Sequence, residues 1–157
     1  MGRHDNLKRF AGVIAMLMLV AGITAVSALA SADQADNSPR SGALHVTKEC
    51  SQYNGSAGGF CTITSSTLKA IDRGSRVIYL QPAGAAGLES DIVLYTGPGN
   101  SAFGHVTLSF ASLSGVVTFS GGTGQFRGFH ADVIVTFNPV TNLWYWDGTY
   151  SFDPPAH

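Results

Sequence analysis

Between Gly115 and Phe137 the chain reads GVVTFSGGTGQFRGFHADVIVTF, two apolar, β-branched runs around a cluster of glycines. Branching at Cβ restricts χ1, so such runs suit a pleated, half-buried surface better than a helix. Ser120, Gly121, Gly122, Thr123 and Gly124 form a cluster able to take positive φ at several points. The sequence therefore predicts a strand, a tight turn at Ser120 to Gly124, and a second strand whose alternation resumes by Phe126. Phe126, Gly128, His130, Asp132, Ile134 and Thr136 then share one face, and Arg127, Phe129, Ala131, Val133, Val135 and Phe137 the other. The second face is the apolar one, and it is expected to look inward.

The same punctuation continues along the chain. Candidate strands are Ala43 to Thr47, Phe60 to Leu68, Arg76 to Gln81, Ser90 to Tyr95, Phe103 to Phe110, Gly115 to Ser120, Gly128 to Phe137 and Leu143 to Phe152. Turn signals at Pro82 to Gly87, Gly97-Pro98-Gly99-Asn100, Ser112 to Gly115 and Asn138-Pro139 separate them. Almost no segment reads as helix. The expected fold is all-β, at the close turn spacing of a sandwich or a barrel; eight antiparallel strands can close a small barrel, which would remove exposed edges and can enclose one small ligand.

Ahead of this domain, Arg3, Lys8 and Arg9 precede an uncharged segment from Phe10 to Ala32 that ends in overlapping Ala-x-Ala sites. This pattern predicts a signal peptide over 1–32, with an uncleaved membrane anchor as the competing reading. The polar stretch Asp33 to Gly42 reads as a flexible linker, leaving 43–157 as the folded domain of a secreted protein, or of an anchored one facing outward. Cys50 and Cys61 fit export: they are the two cysteines of the chain, they lack CxxC spacing, and Asn54-Gly55 and Gly58-Gly59 can turn the chain between them. A disulfide is expected, with a contribution on the order of 3 kcal/mol. After Ala32 nine acidic residues outnumber Arg40, Lys48, Lys69, Arg73, Arg76 and Arg127, and no basic cluster occurs, so nucleic acid is not an expected partner.

The run Val117-Thr118-Phe119-Ser120-Gly121-Gly122-Thr123-Gly124-Gln125-Phe126-Arg127-Gly128-Phe129 resembles the GGTGxFxG hairpin of the allene oxide cyclase and dirigent superfamily, and Ala102 to Leu108 stands where that superfamily has another barrel strand. The resemblance implies an eight-stranded barrel, commonly a trimer, with an apolar cavity for a small lipid-like or phenolic molecule. If the chain is an enzyme, it implies an isomerase that steers a ring closure by shape. The matched motif is a turn, and the catalytic residues of those families have no matching positions in this chain.

The polar candidates come from the residues themselves. Tyr79 shares a face with Val77 and Gln81, and a tyrosine inside an apolar cavity could donate to an epoxide or quinone oxygen. His130 and Asp132 share a face, as an acid–base pair would, and His105 stands with Phe103, Thr107 and Ser109. For both histidines alternation favours an outward orientation. Tyr79, His105 and His130 are thus the candidate catalytic donors, with at most one or two facing inward. Trp144, Trp146 and Tyr150 lie on one aromatic face that would line a ligand cavity or fill the core. No GxSxG, HExxH or phosphate-binding loop occurs, and His45, His105 and His130 are scattered, so no cofactor and no metal is expected. Two functions survive. One is a barrel that binds a small apolar molecule and steers its cyclisation; the other is a non-catalytic extracellular module whose barrel is filled by side chains.

Overall fold

A computed structural model describes residues 40–153. The expected signal peptide and nearly all of the expected linker lie outside the described residues, and β1 begins at Ser41, within the stretch read as linker. Eight strands follow in order: β1 (Ser41–Glu49), β2 (Phe60–Ser66), β3 (Arg76–Tyr79), β4 (Gly87–Gly97), β5 (Asn100–Ser109), β6 (Ser114–Thr123), β7 (Phe129–Asn138) and β8 (Leu143–Phe152). Each is antiparallel to the next, and β1 pairs with β8 to close the barrel.

Alternation decides which side chains fill it. Val133 and Val135 of β7, Val106 and Leu108 of β5, and Val77 and Tyr79 of β3 are buried, while Ile134, Phe103 and Leu80 stand on the outside, between 45 and 60% exposed. The more apolar faces of β5 and β7 are the inward ones, and in β3 the face shared by Val77 and Tyr79 is the inward one. Barrel closure also requires strands to bend and approach closely. Gly122 sits in extended β6 against Ala102 of β5, where a Cβ would collide with the Ser101 carbonyl oxygen and the Phe126 side chain.

The glycine cluster differs from the expected tight turn. β6 runs on to Thr123, with φ +133° at Gly121, and the chain reverses one step later through a short 3-10 helix, Gly124–Phe126, and Gly128. Strand β7 therefore starts at Phe129, and Phe126 is not on the face of His130. Its ring is fully buried, turned into the barrel against Phe129 at 5.3 Å between centroids. A large apolar side chain in the connection gains more from burial under the barrel than from continuing the strand in solvent.

This connection helps close one end of the barrel. Phe119, Phe126, Phe129, Tyr150 and Phe152 pack ring against ring there, with centroid separations from 5.2 to 6.5 Å. Gln125 ties the plug to its neighbours: its side-chain amide donates to the Ala70 carbonyl and to Thr96 Oγ1, and its backbone N–H donates to Asn100 Oδ1. Gly124 has φ +58°, and a Cβ there would meet Asn100 Oδ1 and the Gly99 carbonyl oxygen. We expect Gly124→Val to destabilise the domain by more than about 1 kcal/mol, through backbone strain and this clash, without involving a ligand. Urea unfolding of wild type and variant checks it.

Candidate functional site

The opposite end of the barrel is not filled. β1, β3, β5 and β7 finish there, and the connections 50–59, 80–86, 110–113 and 139–142 surround it. A cavity of about 280 Å³ occupies this end, walled by Leu88, Val106, Leu108, Val135, Trp144 and Trp146 and rimmed by Tyr53, Gly55, Ala83 and Phe110. The Cys50–Cys61 disulfide, S–S 2.03 Å, forms part of the wall. It joins the end of β1 to the start of β2, so the expected crosslink also shapes the cavity. Asn54 Oδ1 accepts the Ser56 N–H at 3.1 Å, which turns the crosslinked loop back toward the barrel.

One cation lies inside this apolar wall. Leu44, Val46 and Lys48 alternate inward along β1, and Lys48 is only 4% exposed. Its Nζ donates to Tyr79 Oη at 2.6 Å. Cys61 Sγ, oxidised and without a proton, lies 3.4 Å from Tyr79 Oη and can only accept. The donors thus run in one direction, from Lys48 to Tyr79 to the disulfide sulfur. Around the same nitrogen stand the rings of Tyr79, Trp144 and Trp146, with centroids 5.3, 5.8 and 5.3 Å away. No carboxylate among the described residues pairs with it.

Burial dominates the electrostatics. The two indole rings attract an ammonium by a kcal/mol or two, and Tyr79, whose hydroxyl points at the nitrogen, adds a hydrogen bond, whereas removing the charge from water without a counter-ion costs several. The Lys48 ammonium is accordingly pulled down from its ordinary 10.5 to about 7 by desolvation. The same burial, with a lesser contribution from Tyr53, pushes the Tyr79 phenol above its ordinary range, so Tyr79 keeps its proton at neutral pH. The Trp146 indole N–H and the Tyr53 hydroxyl are buried and have no hydrogen-bond partner within the protein. Both residues line the cavity. Lys48 and Tyr79, the hydrogen-bonded pair in the wall, both carry donors, which suits a ligand whose one polar feature is an acceptor oxygen.

Of the three donors expected from the sequence, Tyr79 alone lies in this cavity. His105 is on the outer surface, its Nδ1 2.9 Å from Asp91 Oδ1, a bond that holds the Asp91 carboxyl below its usual range. His130 is also outside, as alternation favoured, and its partner is Asp153 at 3.2 Å, not Asp132 on its own strand face, because the end of β8 passes beside it. His45 makes a third such surface pair, with Asp147 at 2.7 Å. Among the described residues no group of three or more His, Cys, Asp or Glu is placed to hold a metal. Of the expected ligand-binding aromatics, Trp144 and Trp146 line the cavity, whereas Tyr150 belongs to the plug at the far end, stacked 6.5 Å from Phe129.

Sequence reasoning missed Lys48. The strand expected at Ala43 to Thr47 stops one residue short of it, and extending the alternation of Leu44 and Val46 by two residues places the lysine on the inward face. Tyr53 and Ala83 come from connections, whose approach to the barrel has no periodic signal.

Lys48 ties stability to pH. The unfolded chain keeps its proton up to about 10.5 and the folded chain releases it above about 7, so between these values the unfolded state binds more protons and stability rises with pH. Below pH 7 the penalty stays at its full size. We expect Lys48→Met to be more stable than wild type by about 2 to 4 kcal/mol at pH 6, with the difference shrinking as pH rises toward 10. Denaturant unfolding across this range checks both sign and slope. No protein-family model, no curated protein and no solved structure matches this chain.

Proposed function

We propose that this domain is a small-molecule-binding barrel whose ligand is mostly apolar and carries one hydrogen-bond-accepting oxygen. The observation that carries this reading is the pairing of an apolar cavity with a buried, uncompensated Lys48 held against Tyr79. A barrel serving only as a module would gain stability from an apolar side chain at this position. The retained cation is better explained by a ligand that uses it. At about 280 Å³ the cavity lies near the lower end of ordinary ligand sites, roughly 300 to 1,000 Å³.

The resemblance of the 117–129 segment to the allene oxide cyclase and dirigent superfamily extends the proposal. A reactive epoxide or quinone-like molecule, its oxygen held by Lys48 and Tyr79 and its carbon skeleton confined by Trp144, Trp146 and Val135, would be shielded from water and biased toward one ring closure. The setting we propose is extracellular. The disulfide fits an oxidising compartment, and no helix among the described residues is long and apolar enough to cross a membrane. Self-association through the outer wall belongs to the same proposal, since Val116 and Ile134 stand side by side there at 51 and 60% exposure.

Titrating small apolar phenols, ketones and carboxylic acids while following Trp144 and Trp146 fluorescence tests the binding reading. We expect saturable quenching by at least one class, weakened tenfold or more in Lys48→Met and in Trp144→Ala. The absence of saturable binding by all three classes to the folded wild type would defeat it.

A further inference from the structure

We propose that Lys48 is an imine-forming amine, whose Nζ condenses with the carbonyl carbon of a small apolar aldehyde or ketone seated in the cavity. This inference rests on the reading of the cavity as a ligand site and adds a covalent step to it. The geometry meets three requirements of such a step. The amine is buried among Tyr79, Trp144 and Trp146 at one side of an apolar cavity, so a carbonyl compound confined there is held within reach of Nζ. Among the described residues no anion fixes the nitrogen as ammonium: the groups facing it are Tyr79 from β3, Tyr53 and Cys50 from the β1–β2 connection, Cys61 from β2, and the two tryptophans of β8. A phenol stands 2.6 Å from the nitrogen and keeps its proton at neutral pH, close enough to pass protons between nitrogen and oxygen.

The chemistry balances without any further reagent. The Nζ lone pair attacks the carbonyl carbon, a C–N bond forms, and the C=O π pair moves to oxygen. A proton shifts from nitrogen to that oxygen, assisted by the Tyr79 hydroxyl, to give a carbinolamine. The Tyr79 hydroxyl gives a second proton to that oxygen, the C–O bond breaks, and water leaves. The nitrogen pair closes the C=N bond, and the proton remaining on nitrogen returns to the Tyr79 oxygen to leave the neutral imine. One amine and one carbonyl become one imine and one water. Desolvation helps at the start, because a lysine pulled down to about 7 has roughly a thousand-fold more free amine at pH 7 than an ordinary one. It helps again at the end, because an apolar wall limits hydrolysis of the product.

The test is reductive trapping on the full folded protein. Benzaldehyde and sodium cyanoborohydride are added at pH 7, and the labelled lysine is located by peptide mass mapping. We expect one benzyl group per chain, formed at Lys48 at least tenfold faster than at the exposed Lys69. Labelling should persist in Lys69→Arg, disappear in Lys48→Arg, and slow about tenfold in Tyr79→Phe. Labelling of wild type at Lys48 no faster than at Lys69 overturns the proposal, and that comparison needs no variant to fold. Benzyl alcohol, which has the same ring but no carbonyl, separates the two levels of the argument. Saturable fluorescence quenching by the alcohol, without preferential trapping of the aldehyde at Lys48, removes the imine and leaves the ligand site. Failure of both probes to bind removes the imine together with the site for probes of this size.

Discussion

The pairing of β1 with β8 is the contact on which the rest of this structure depends. It runs from Ser41 opposite Ser151 to Lys48 opposite Trp144, and it turns a meander of hairpins into a closed wall with an inside. Without it, Leu44 and Val46 would lie on an open sheet edge, and Lys48 would sit beside water. With it, the backbone groups of both terminal strands are paired, and the lysine is carried into the same apolar space as Trp144 and Trp146.

Closure leaves a barrel with two unlike ends. At one, the 3-10 turn folds Phe126 beneath Phe129, and the aromatic plug supplies the apolar burial that a domain of this size needs. At the other, the connection between β1 and β2 is stapled by Cys50–Cys61 and rims the cavity without filling it. The crosslink limits how far this loop can stray in the unfolded chain, and in the folded chain it puts a sulfur against Tyr79. One covalent bond therefore serves both the stability of the domain and the shape of the cavity. The sequence left a filled barrel and an open one as alternatives; one end is packed with rings and the other keeps a cavity.

Lys48 is where local preference and global structure conflict. Its alternation partners Leu44 and Val46 are the residues expected on such a face, and a lysine there loses hydration that two indole rings and one phenol hydroxyl return only in part. Such violations concentrate where a protein does something other than fold. The outer surface is the counterpart. His45, His105 and His130 each lie beside a carboxylate in water, where exposed pairs contribute little, and they mark the solvent side of the wall.

By itself the sequence determined the strands, which residues share a strand face, and the disulfide, because each rests on short-range chemistry. Two-residue periodicity in β5, β7 and β8, glycine and proline between strands, and two cysteines with turn residues between them are all local signals. Tertiary structure decided everything that depends on which distant residues meet. His130 shares a strand face with Asp132 yet pairs with Asp153, brought beside it by the end of β8. Tyr150 shares a face with Trp146 yet belongs to the opposite end of the barrel, because a strand of ten residues spans both the cavity and the plug. Lys48 and Tyr79 are 31 residues apart in the chain, and it is the pairing of β1 with β2 and of β2 with β3 that brings amine and phenol within hydrogen-bonding distance. Periodicity states which way a side chain points; it does not state what the far wall will place in front of it.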